Sequence, residues 1–301
     1  MTTEKIIDAH HHLWAPQSDP GTVGYVWLRD IGAPKPFGDP TPIQRDYLLP
    51  EFLAEPAPDR LAGSVHVQCD PKISDPAAET AFIQGISNTA GHPIMIVGFA
   101  DLSRSEVAET IKCHQAYPNL RGVRQIISHL PDRPDISFAS ANLLEDLTWR
   151  ANFAILADAG LSFDVQLYPE QMQQAAEFLA QHPAVPAVID HLGSPYDASD
   201  AGLQRWEDGM TALAALPHVH VKLGGYAMYF GSDLGSVPAQ LTQRALQLFG
   251  ASRVMFSSNF PVDSLHLTYP DLLAFVRAQM PRADHAQVFH DTAAKFYRFA
   301  C

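Results

Sequence analysis

Positive charge is scarce in this chain: 20 Lys and Arg stand against 33 Asp and Glu, a formal net charge of -13 over 301 residues. No Lys/Arg cluster interrupts that balance, so nucleic acid and anionic membranes, which need concentrated positive charge, are not expected partners. Cysteine is equally sparse. Cys69, Cys113 and Cys301 are odd in number, widely spaced and outside any C-x-x-C pattern, which leaves neither a disulfide framework nor a thiolate zinc site. The first residues lack the long apolar core of a signal peptide and no later run approaches membrane-spanning length, so a soluble, cytoplasmic protein is expected. Three catalytic signatures are missing as well: there is no G-x-S-x-G elbow, no G-x-x-x-x-G-K-[ST] phosphate loop and no G-x-G-x-x-G turn.

What remains is an ordinary globular composition, 47% hydrophobic and 18% charged, able to bury a large core. Short β-rich runs alternate with longer amphipathic stretches, the pattern of a parallel α/β architecture. Eight runs are expected near Ile6–Leu13, Ala62–Cys69, Ile94–Ala100, Leu120–Ile127, Leu161–Gln166, Ala187–His191, His218–Leu223 and Arg253–Ser257. Helices are expected between them, including Ala141–Ala159, Asp263–Ala278 and a closing one around Asp284–Phe299. Eight strands separated by helices predict a TIM (β/α)8 barrel, here a single domain spanning residues 1–301. The exception to the alternation is residues 15–55, rich in Pro and Gly and carrying Trp27, Leu28, Phe37 and Tyr47. As a long first βα loop it would lie at the C-terminal face, where barrel active sites form.

Three motifs carry the chemistry. At the end of the first strand, Asp8-Ala9-His10-His11-His12-Leu13-Trp14 points His10 and His12 to one side and His11 to the other. Asp190-His191-Leu192-Gly193-Ser194-Pro195 ends the sixth strand, and Ser257-Ser258-Asn259-Phe260-Pro261-Val262-Asp263 ends the eighth. Asn259 can orient water or bind a substrate oxygen, but an amide cannot act as a general base. Asp263 is read either as a helix N-cap or as a catalytic carboxylate.

These motifs, in this order, resemble the amidohydrolase superfamily, and most closely its lactonase branch. The resemblance implies that His10 and His12 are the first-strand pair, His191 the sixth-strand histidine and Asn259 the occupant of a position where the family usually has Asp. It also implies no cofactor or one divalent metal, Zn2+ first, held by His10, His12 and His191. Two ligands of metal-dependent members are absent, because the fifth strand offers no histidine and the fourth no lysine. Arg124 is expected to bind a substrate carboxylate through its planar fork, with His66 and Tyr226 as further substrate contacts. Lys222, inward with His220, is expected to stabilise an oxyanion. The implied activity is hydrolysis of a small, carboxylated sugar-acid or aromatic-degradation lactone. A metal-dependent decarboxylase or hydratase and a non-catalytic small-molecule-binding barrel are the alternatives. The expected partner is a lactone or carboxylic acid, with a homo-oligomer left open.

Overall fold

The computed structural model describes residues 4–69 and 74–300; Cys301 lies outside the described residues. Eight strands run parallel in sequence order: β1 (Ile6–His11), β2 (Leu61–Val67), β3 (Ile94–Phe99), β4 (Leu120–Arg124), β5 (Ser162–Val165), β6 (Ala187–Ile189), β7 (Val219–Leu223) and β8 (Val254–Phe256). The segment after β8 returns to β1, where the Asn259 amide donates to the His10 carbonyl and the His12 amide to the Phe260 carbonyl, both at 2.8 Å. This closes the expected (β/α)8 barrel.

Alternation along each strand decides what enters the barrel. Ile7, Ala9, Val65, Val67, Val97, Val188 and Met255 pack inside, together with Phe296 and Tyr297 from the last helix. Residues of opposite phase, such as Ile6, Ile96, Val123 and Val221, join the larger core beneath the helices. Burying each aliphatic side chain of this kind contributes about 1.5–3 kcal/mol.

Three expected helices are broken. Ala141–Ala159 is divided into Leu143–Glu145, Leu147–Asn152 and Ile155–Asp158, because Asp146 is extended and its carboxylate accepts from the Trp149 amide as an N-cap. The helix expected from Asp263 begins instead at Tyr269, capped by the Thr268 hydroxyl. The closing helix passes through a π-helical turn, Gln287–Asp291, before Thr292–Phe296. The long first loop contains short helices at Val26–Arg29, Thr41–Ile43 and Leu49–Ala54. It is held locally by Asp19, whose carboxylate accepts from the amides of Thr22 and Val23, and by an antiparallel bridge between Trp14 and Tyr47. Among the described residues no helix is long and apolar enough to cross a membrane.

Candidate active site

The first strand owes its geometry to an extra residue. Asp8 pairs with Ser64 and His11 with His66, so three steps on β1 meet two on β2. Ile7 and Ala9 point inward below this bulge, yet His10 turns inward above it as well. His11 faces away, stacked on Phe52 at 4.0 Å and bonded to the Ser64 hydroxyl. The rings of His10 and His12 lie 5.1 Å apart, and those of His10 and His191 4.6 Å apart. The three histidines therefore converge.

Each imidazole has a distinct setting. His12 Nδ1 donates to the Val67 carbonyl at 2.7 Å, which leaves Nε2 as the lone-pair acceptor of a neutral ring. Burial, and then the nearby Arg124 charge, hold its pKa well below the usual histidine value. His10 Nδ1 lies 3.2 Å from Asp190 Oδ1, while Arg124 stands 3.5 Å from Nε2. Burial keeps His10 neutral against the pull of Asp190. His191 follows β6 in a left-handed turn in which His191, Leu192, Gly193 and Ser194 have φ of 52, 53, 73 and 52°. Such backbone is costly for residues with a Cβ and is retained where the surroundings over-determine it. Here Gly225 helps, because its α-carbon abuts the His191 ring so closely that an added Cβ would meet Nδ1 at 2.5 Å. Burial pushes His191 down to about 3.

Asn259 also occupies left-handed backbone, at φ 59°, a conformation that Asn tolerates better than most residues. Its Nδ2 donates to Asp263 Oδ1 at 2.8 Å, so its carbonyl Oδ1 is the end left for the cavity. Asp263 accepts in addition from the Ala227 amide, and burial pushes its carboxyl up to about 7.

Beneath these groups lies a fully buried charged layer. Lys222 contacts Asp164 closely and Asp190 at 2.9 Å, Tyr297 donates to Asp164, and Arg124 reaches Asp190 at 3.4 Å. Two cations thus meet two carboxylates. Burial opposes the charge on Asp190, yet Lys222 and then His10 hold it well below the usual carboxylate range, whereas burial pushes Asp164 up to about 6. Sequence reading missed both carboxylates as site components. Asp190 adjoins His191 in a quoted motif, but Asp164 finds Lys222 and Tyr297 only through the fold.

A cavity of about 730 Å3 opens above this layer at the C-terminal ends of the strands. Of the expected site residues, His12, His191, Arg124 and Asn259 line it. Five others do not. His10 and Lys222 lie below its floor, enclosed by the charged layer. Asp263 stands behind Asn259, as its hydrogen-bond acceptor. His66 faces the outer layer because Val65 and Val67 take the inward positions of β2, and its Nε2 meets Glu79 at 3.2 Å. Tyr226 is buried with its hydroxyl on Thr242, away from the cavity. Trp14, Trp27 and Phe37, from the end of β1 and the long loop, add an aromatic wall.

His10, Asp190 and His191 offer ligand atoms that all lie within 4.8 Å of one another. This imidazole and carboxylate set fits one divalent cation of the zinc type. It differs from the expected set in having Asp190 in the place of His12, whose ring nitrogens are not among the converging atoms.

Barrel, converging imidazoles and buried acid together define a TIM-barrel protein of amidohydrolase type. The chain belongs to the amidohydrolase family, whose model matches residues 7–299. It is 34% identical to the uncharacterized protein y4mH of Sinorhizobium fredii over 99% of this chain and 100% of that one. It is 29% identical to the L-fucono-1,5-lactonase of Burkholderia multivorans, covering 97% of this chain and 95% of the relative. Among solved structures, an amidohydrolase from Burkholderia multivorans with bound zinc superposes with a TM-score of 0.78 at 26% identity, covering 98% and 99% of the two chains.

Proposed function

We propose that the protein opens a carboxylated lactone by adding water to the ring carbonyl. The observation that carries this reading is the placement of two acceptors, His12 Nε2 and Asn259 Oδ1, on one cavity floor beside the Arg124 guanidinium. The relatives named L-fucono-1,5-lactonase support the reaction class.

In this mechanism Asn259 Oδ1 and His12 Nε2 hold the water, and His12 takes its proton as the oxygen bonds to the carbonyl carbon. The tetrahedral oxyanion forms beside Arg124, whose charge is pre-positioned by Gln166, Asp190 and the Gln68 carbonyl. The C–O bond of the ring then breaks, and the proton held by His12 passes to the departing alkoxide. Asp263 fixes the Asn259 amide, while Asp190 fixes His10 beneath the floor. A divalent cation, when bound, would be held by His10, Asp190 and His191 and would polarise the carbonyl.

The test is turnover of carboxylated γ- and δ-lactones by the purified protein, followed by acid release and by CO2 capture, with metal content measured in parallel. Acid without CO2 is expected. Stoichiometric CO2 from a carboxylated ring would identify a decarboxylase, and no turnover with retained binding would identify a binding barrel.

A further inference from the structure

We propose that the lactone carries a flat apolar substituent of aryl size, seated against the long first loop, and that polyhydroxylated sugar lactones are poor substrates. The proposal rests on the hydrolytic reading above and names the class of molecule the same cavity selects.

Volume is the first argument. About 730 Å3 is far more than a bare lactone ring fills and falls in the range of roughly 300–1,000 Å3 that takes drug-sized ligands. The second argument is what lines that volume. Trp27, Phe37, Phe99, Phe138, Leu143 and Met228 all border the cavity and all remain only half-buried. Their uncovered apolar surface faces a space that a matching group would dehydrate.

The aromatic residues also form a continuous path from the chemistry to the lip. The His12 ring stacks with Trp14 at 5.8 Å and an interplanar angle of 13°. Trp14 meets Trp27 edge-on at 5.6 Å, and Trp27 meets Phe37 edge-on at 6.1 Å. A flat ring attached to a lactone whose carbonyl lies at His12 and Arg124 would run along this wall in offset or edge-to-face contact.

Hydroxyl recognition, by contrast, requires polar groups with unused capacity, and Asp101, Gln125 and Ser137 on the upper wall are committed to the protein, which leaves Lys35, Ser140 and the Gln68 amide. Asp101 Oδ1 accepts from the Ser103 hydroxyl and from Gln125 Nε2. Gln125 Oε1 accepts from the Leu102 amide and the Trp149 indole. The Ser137 hydroxyl donates to backbone carbonyls and accepts from the Leu130 amide. A sugar ring placed against Asp101, Gln125 and Ser137 would lose water from its hydroxyls without gaining equivalent partners from them.

The experiment compares kcat/KM for a carboxylated γ-butyrolactone bearing phenyl, the same lactone bearing methyl, and an aldonolactone. It also measures binding of 3-phenylpropanoate, propanoate and D-gluconate by tryptophan fluorescence and calorimetry. The phenyl lactone is expected to exceed the methyl one at least tenfold, and 3-phenylpropanoate to bind at least tenfold tighter than propanoate. Phe37→Ala and Trp27→Ala should each reduce the phenyl-to-methyl ratio at least threefold; Phe37 is half-buried on a loop, so its truncation spares the barrel core. Lactone turnover with the aldonolactone preferred, or a ratio unmoved by either variant, overturns the proposal and leaves hydrolysis standing. Tight, Trp27-dependent binding of 3-phenylpropanoate with no lactone turned over supports the apolar subsite and overturns the hydrolytic reading instead.

Discussion

Gly225→Ala probes His191 without altering any group that takes part in the chemistry. Gly225 has φ 72°, and a Cβ there would lie 2.5 Å from His191 Nδ1 and 2.6 Å from Cγ, where ordinary contact begins near 3.4 Å. The imidazole must therefore retreat by about 1 Å, and a misplacement of that size costs on the order of 100-fold in rate. Left-handed backbone adds ~1–2 kcal/mol of strain for an alanine. We expect kcat/KM for lactone hydrolysis to fall about 100-fold while the melting temperature drops by only several degrees. In a His191→Ala background, the same change should have little further effect on rate, because both variants act through one ring. Activity within threefold of wild type, with the expected loss of melting temperature, would show that His191 is not positioned for catalysis.

Four further outcomes follow from the site. Arg124→Ala should lower kcat for every lactone through loss of oxyanion stabilisation, and should also raise KM for a carboxylated lactone roughly 10–100-fold more than for a neutral one, because only the former loses a ground-state charge-assisted contact as well; unchanged kcat and KM for both would make Arg124 solely the partner of Asp190. Asn259→Ala should lower kcat at least tenfold, whereas Asn259→Asp should retain it and add an acidic limb to the pH profile, with an apparent pKa raised by the adjacent Asp263; unchanged kinetics in both variants would remove Asn259 from the reaction. Lys222→Met strands Asp164 and Asp190 without their shared cation and should cost about 3–5 kcal/mol in denaturant unfolding; a loss below ~1 kcal/mol would refute the charged layer as a stability determinant. Burial lowers His92 and His220 to about 4 and holds His11 well below the usual histidine value, so below the unfolded value of 6.5 the unfolded chain binds protons that the folded chain refuses. Asp8, Asp164 and Asp263, raised to about 6, 6 and 7, oppose this between roughly pH 4 and 7, but the buried imidazoles, with His10, His12 and His191 counted, outnumber them. The melting temperature should thus be lower at pH 5 than at pH 7, and equal or higher values would contradict the assignment of neutral buried imidazoles.

The barrel was legible because its strands announce themselves as β-branched runs, and their C-terminal ends coincide with His12, Arg124 and the turn holding His191. Period-two reasoning also separated His11 from its neighbours correctly, since His10, His11 and His12 resume regular alternation above the bulge. It failed at His66, where the inward phase of β2 belongs to Val65 and Val67. Nothing local distinguishes a strand's two faces when both are buried. Asp164 was unreadable for another reason: its partners Lys222 and Tyr297 are 58 and 133 residues away in sequence, and only barrel closure brings them together. Asp263 looked like a cap because it precedes a helix, but the helix starts at Tyr269 and leaves the carboxylate to Asn259.

The bulge in β1 makes residue count, as distinct from residue identity, a determinant of the site. Side chains on a strand obey a parity rule, and the extra residue between Asp8 and His11 resets that parity midway. Deleting one residue there would restore a single phase from Ile7 onward: His11 would still face Ser64 and Phe52 and His12 the cavity, while the two inward neighbours Ala9 and His10 would be reduced to one. Which residue is lost then decides the site: without Ala9 the pair His10 and His12 would still face inward, whereas without His10 its place would fall to Ala9 and one imidazole would be presented where this chain presents its pair. Length variation in this short stretch is therefore a sharper sign of altered chemistry than any single exchange of residue type.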